Sequence, residues 1–112
     1  MAELIWTRRY SFQSVHRLRA VGERRHGHQY HLELSFRGRD IDAIDAEVNR
    51  LVLLPFHGRE ISDLGEPTGE NIVNAIHARL LNSSVGPRIC GVCLQETRKN
   101  RFVSALTESR YV

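Results

Sequence analysis

Tyr30, Leu32, Leu34 and Phe36 occupy alternate positions of HGHQYHLELSFRG (26–38), with His31, Glu33 and Ser35 between them. Strict alternation sends successive side chains to opposite faces of a strand, so one apolar face must be covered. A chain with this stretch has to build a sheet with a single buried face and supply the elements that bury it. Gly38 ends the run. Just upstream, IWTRRYSFQSVH (5–16) is rich in aromatic and β-branched residues and predicts a second strand. The basic, polar stretch 17–25, which contains Gly22, predicts the loop that joins the two.

The cover is expected to be helical. In DIDAIDAEVNRLVLL (40–54), Ile44, Val48, Leu51 and Val52 fall at helical spacing, and acidic residues near the start suit the helix dipole. Pro55 is expected to stop this helix, and FHGREISDLGEP (56–67) to follow as a loop. Thr68 is placed to cap TGENIVNAIHARLLNS, whose apolar face is Ile72, Val73, Ile76 and Leu80. GPRICGVCLQET (86–97) and RFVSALTES (101–109) predict two more strands across a short RKN turn. The order strand, strand, helix, helix, strand, strand implies an α+β fold: an antiparallel sheet with its helices on one side. At 112 residues the chain is expected to form one domain, 1–112. A core of that size leaves much surface exposed, so oligomerisation is an easy route to further burial.

No apolar run reaches the length of a membrane span, and MAELIWTRRYSF lacks the layout of a signal peptide. A cytoplasmic protein without membrane partners is the expectation. The net charge is +3. Basic residues cluster at Arg8-Arg9, Arg17-Arg19, Arg24-Arg25 and Arg98-Lys99-Arg101, in a dispersed pattern without interleaved aromatics. That pattern favours a solvated arginine surface, or a pocket for a phosphorylated small molecule, over nucleic acid. Cys90 and Cys93 have no second pair with which to complete a four-thiolate zinc site, so they read as half-buried strand cysteines.

His26 and His28 stand two apart in a predicted strand and therefore share a face, with Gly27 between them leaving room for close approach. Antiparallel pairing through the 17–25 loop would bring His16, at the end of FQSVHRL, opposite them. Three neutral imidazoles with one open position form a catalytic zinc arrangement. The spacing alone is equally compatible with a pair of surface histidines.

The flanks carry a resemblance. FQSVHRL (12–18), HGH (26–28), PTGEN (67–71) and QET (95–97) occur in this order across most of the chain. Together they resemble the 6-pyruvoyltetrahydropterin synthase and 6-carboxytetrahydropterin synthase family, whose members show F-x-x-x-H-R-L, H-G-H, P-T-x-E-N and E-T. The resemblance implies a T-fold: a four-stranded antiparallel sheet with two helices on one face, assembling into an oligomeric barrel, typically a homohexamer. It implies zinc (Zn2+) held by His16, His26 and His28, a pterin ring anchored by Glu96 beside Thr97, and Thr68 near the same pocket. A carboxylate suits that anchoring role because it accepts paired hydrogen bonds from an amino-pyrimidinone edge.

The sequence also departs from the family pattern. Members usually carry a proton-abstracting cysteine four residues before H-G-H; here that position is Gly22, followed by Glu23. E-x-x-H-G-H is similar to a subgroup associated with 6-hydroxymethyl-7,8-dihydropterin. Glu23 reads either as a base, if burial raises its pKa, or as a solvated loop glutamate whose neighbours Arg24 and Arg25 lower it. The usual L-D-H relay is replaced by LLPFHGRE, which leaves His57 either as an acid or base or as a loop histidine. The resemblance thus implies a zinc-dependent lyase acting on the side chain of 7,8-dihydroneopterin triphosphate. The degraded relay points to the alternative, a catalytically impaired T-fold module that binds zinc and a pterin or purine-like ligand.

Overall fold

The computed structural model describes residues 4–17, 25–60, 68–96 and 99–104, and within these the side chains of 15–17, 25–28 and 59–60 lie outside the description. The two long strands are β1 (Ile5–Arg17) and β2 (Arg25–Arg37). They pair antiparallel along their whole length, from Ile5 opposite Arg37 to Arg17 opposite Arg25. Strand β2 continues the sheet to β4 (Ile89–Gln95), and β4 pairs antiparallel with β5 (Arg101–Val103). A two-residue strand, β3 (Arg59–Glu60), lies parallel to β1 at Ser14 and Val15, inside the stretch expected to be loop. The order across the sheet is β3-β1-β2-β4-β5.

The alternation in β2 has the expected consequence. Tyr30, Leu32, Leu34 and Phe36 are fully buried, and Phe12 of β1 joins them. The cover comes from α1 (Ile41–Val48), which continues through a π-helical segment (Asn49–Leu53) into α2 (Leu54–Phe56), and from α3 (Gly69–Leu81). Ile72, Val73, Ile76 and Leu80 of α3 are buried as expected, and so is His77. The outer face of the sheet carries Arg9, His31, Glu33 and Cys93.

Pro55 does not stop the first helix. The chain stays helical through Phe56, with Pro55 in the first turn of α2. Proline cannot donate to the preceding turn, and the carbonyl of Leu51, one turn back, instead accepts from Arg79 Nη1 at 3.3 Å. The same guanidinium lies 4.7 Å from the centre of the Phe56 ring. An acceptor supplied with a side-chain donor lets a helix tolerate the proline.

At Gly38 the chain turns with φ +89°, a left-handed conformation that favours glycine. Arg88 closes this corner, donating to the carbonyls of Arg37 (2.7 Å) and Asp40 (2.8 Å). Cys90 and Cys93 are both half-buried in β4. The register steps from Ser35–Gly91 to Phe36–Ile89, which makes Cys90 the extra residue of a β-bulge. The bulge restores Ile89 to the buried face.

Candidate functional site

The helix-facing side of the sheet can be followed row by row toward the β1–β2 turn. Phe12 and Tyr30 face each other across the two strands, their rings stacked with centroids 5.2 Å apart. In the next row Ser14 is opposite His28, and in the one after that His16 is opposite His26. Rows on one face are about 7 Å apart. Positions 16, 26 and 28 thus share the strand parity of the buried residues and sit in two adjacent rows at one end of the sheet. The side chains of all three histidines lie outside the described residues.

Glu96 leaves β4 at the same end. Gln95 pairs with His31, so the following residue comes level with Tyr30. The Tyr30 phenol is pushed well up, first by its burial and then by the negative charge of Glu96. The half-buried carboxylate is therefore within electrostatic reach of the row next to His28. The backbone N–H of Glu96 donates to Asn100 O at 3.1 Å, closing the β4–β5 hairpin. Thr97, beside it, lies outside the described residues, as does Glu23.

Thr68 is the N-cap of α3: its side chain accepts from the N–H of Asn71 at 3.2 Å. The capping role read from the sequence is present, and the residue is exposed. His57 is also exposed, but it is not a free loop residue. Gln13 N–H donates to its Nδ1 at 3.0 Å, and the next residue, Gly58, donates its N–H to Gln13 O at 2.6 Å. The hydroxyl of Ser14, buried in the same row as His28, donates to Phe56 O at 2.5 Å. These bonds lash the turn after α2 to the outer edge of β1, three residues from His16. An Nδ1 that accepts a main-chain hydrogen bond assigns the ring proton of neutral His57 to Nε2. The sequence signal for this attachment was slight: a serine of buried parity in β1 needs a partner, and a turn rich in polar groups can supply one.

As a donor set, three imidazoles at these register positions fit a divalent zinc-like ion in chemistry and in strand placement. Among the described residues no group of three or more histidine, cysteine, aspartate or glutamate side chains gathers to bind a metal. The outer face holds a different cluster: Glu33 bridges Arg9 (3.3 Å) and Arg101 (3.6 Å), and Arg101 donates to Cys93 Sγ at 3.2 and 3.3 Å. It lies on the other side of the sheet from the histidine rows. No helix among the described residues is long and apolar enough to cross a membrane.

Comparison with known proteins bears on this geometry. The family model described as 6-pyruvoyl tetrahydropterin synthase matches residues 5–105. The structure of 6-pyruvoyl tetrahydropterin synthase from Caenorhabditis elegans superposes with a TM-score of 0.83 at 22% identity, covering 96% of this chain and 98% of that one. An uncharacterized protein from Wolinella succinogenes superposes with a TM-score of 0.62 at 13% identity, covering 90% and 97%. No curated protein matches the sequence. At these identities the superpositions establish the fold, a T-fold with four antiparallel strands and helices on one face, and the family model, matched over nearly the whole chain, establishes descent. The chain belongs to the 6-pyruvoyl tetrahydropterin synthase family.

Proposed function

We propose that this protein is a zinc-dependent lyase acting on the side chain of 7,8-dihydroneopterin triphosphate, with His16, His26 and His28 as the zinc ligands. The observation that carries the reading is the strand register: His16 opposite His26, His28 one row nearer Tyr30, and Glu96 leaving the sheet level with that tyrosine. Membership of the family supports the same reaction class. When bound, the ion supplies Lewis acidity.

The chain's own residues have separate tasks. Glu96 holds the amino-pyrimidinone edge of the ring and so fixes which side-chain carbons face the metal end. Thr97 and Thr68 flank that edge. Glu23 takes a proton from a side-chain hydroxyl, the step with which a retro-aldol cleavage to 6-hydroxymethyl-7,8-dihydropterin begins. His57, its Nδ1 held by the Gln13 N–H, offers Nε2–H as a hydrogen-bond donor to a side-chain oxygen, and the proton that returns to carbon comes back from the acid form of Glu23. Arginines near the site receive the triphosphate. The working form is a homo-oligomer, a hexamer by the family pattern.

A second reading keeps zinc and ligand but loses turnover. It is favoured by Phe56, which stands where a relay would carry an aspartate, and by the main-chain bond that occupies His57 Nδ1, the atom an aspartate would orient. One experiment separates the two: zinc content of the purified protein, followed by incubation with 7,8-dihydroneopterin triphosphate and mass spectrometry of the products. Zinc with a cleaved side chain supports the lyase. Zinc with pterin binding and intact substrate supports the impaired module, and protein without zinc refutes both. His26→Ala should abolish zinc and activity together, whereas Glu23→Gln should keep zinc and lose turnover.

A further inference from the structure

The β4–β5 hairpin, which carries Glu96, ends in the three-residue strand β5, which among the described residues pairs only with β4, and the hairpin is docked on α3 at two places. At the first, the Phe102 ring lies against Gly69, the first residue of the helix. A Cβ built on buried Gly69 would stand 2.2 Å from Cε2 and 2.4 Å from Cδ2 of the Phe102 ring, far inside any van der Waals contact. With any larger residue at this position the ring would have to move from where it stands. At the second, Ser104, just past β5, donates to Asn74 Oδ1 at 3.2 Å and lies 2.7 Å from Nδ1 of the buried His77. Phe102 pairs with Leu94, two residues before Glu96, and the Glu96 N–H closes the hairpin on Asn100. Thr68, which caps the helix, is the residue before Gly69.

We propose that the seating of Phe102 on Gly69 is a positioning contact: it sets the Glu96 carboxylate relative to the Thr68 end of α3, and thereby the affinity for a pterin ring. The proposal rests on the reading of Glu96 as the ring anchor. Neither Gly69 nor Phe102 touches the ring. They act by fixing the hairpin, because a strand of three residues has few ladder bonds of its own and a side chain seated on the helix adds a second hold. A glycine inside P-T-G-E-N therefore has a reason beyond the helix start, and its partner is a residue of another element.

The test uses the zinc-loaded full chain with neopterin as the probe, titrated by fluorescence, together with amide hydrogen exchange at Glu96. Gly69→Ala and Phe102→Leu should each weaken neopterin binding by about tenfold and speed exchange of the Glu96 amide, with zinc content unchanged. The double variant should regain most of the affinity, since leucine leaves room for the new methyl group and the two changes are coupled. Unchanged affinity and exchange in both single variants would overturn the proposal, as would loss of zinc in parallel with loss of affinity, which marks general unfolding. If Gly69→Ala does not fold, Phe102→Leu decides. If the parent protein binds no neopterin, the anchoring reading of Glu96 falls on its own, and the exchange measurement still decides whether the contact holds the hairpin.

Discussion

The Asp45 carboxylate ties the first helix to the first strand. Arg8 donates to both of its oxygens, Nε to Oδ1 at 2.8 Å and Nη2 to Oδ2 at 2.9 Å, and the Tyr10 hydroxyl donates to Oδ1 at 2.6 Å. Burial alone would raise the Asp45 pKa, but the bonds from Tyr10 and Arg8 outweigh it and hold the carboxyl below its ordinary value. A carboxyl lowered on folding contributes stability that is fully present above the unfolded value, about 3.9, and is lost as pH falls through the folded one. Urea midpoints should therefore fall below about pH 4, and Asp45→Asn should flatten that part of the profile. Tyr10→Phe removes one charge-assisted bond and should cost about 1.5 kcal/mol in urea unfolding near neutral pH. The sequence showed Asp45 only as one of several acidic residues at a helix start. That it meets Arg8 and Tyr10 depends on how the helix lies across the sheet, which no local pattern encodes.

At the scale of elements, the first helical segment departs most from its expected course. Ile44, Val48, Val52 and Phe56 are all buried, each four residues after the last. In an ideal α-helix a spacing of four drifts by about 40° per step, so such a row would wind away from the core. The wider π turn at Asn49–Leu53 offsets part of the drift and keeps the row facing the sheet. Arg79 completes the arrangement by serving Leu51 O and stacking on Phe56. Arg79→Met should cost about 1–2 kcal/mol by losing both contacts. Ile76→Ala, which empties a fully buried site on α3, should cost about 2–5 kcal/mol. Both are read from chemical unfolding of the purified protein. The helix itself was legible from the spacing of its apolar residues. Its continuation past Pro55 was not, because the donor that makes it tolerable comes from another helix.

For the molecule as a whole, the outer edge of β1 has an assembly consequence. Gln13 N–H and C=O both point outward, to His57 and Gly58, and Leu4 O points inward, to Gly38. By alternation, the main-chain groups of Ile5, Thr7, Arg9 and Ser11 also point outward, and among the described residues β3 covers the edge only at Ser14 and Val15. Leu4, Ile5 and Trp6 are exposed at the start of the same strand. An open edge of this length next to apolar side chains is a surface for strand pairing with another copy. Thr7→Pro removes one outward N–H and leaves the β1–β2 ladder its donors. Sedimentation velocity should show an oligomer for the parent protein and a shift toward monomer for this variant, with the far-ultraviolet circular dichroism of the fold retained.

Alternation and helical spacing by themselves determined the four antiparallel strands, the existence of the helices, the covered face and the strand parity shared by His16, His26 and His28, because each depends on residues a few positions apart along the chain. The antiparallel placing of His16 against His26 follows from the same short-range logic once β1 and β2 form a hairpin. Tertiary structure alone decided where Glu96 stands relative to Tyr30, which main-chain groups hold His57, what packs on Gly69 and how the helix survives Pro55. Those outcomes join residues tens of positions apart, and their energies come from packing and hydrogen bonds that exist only once the sheet and its helices are in contact.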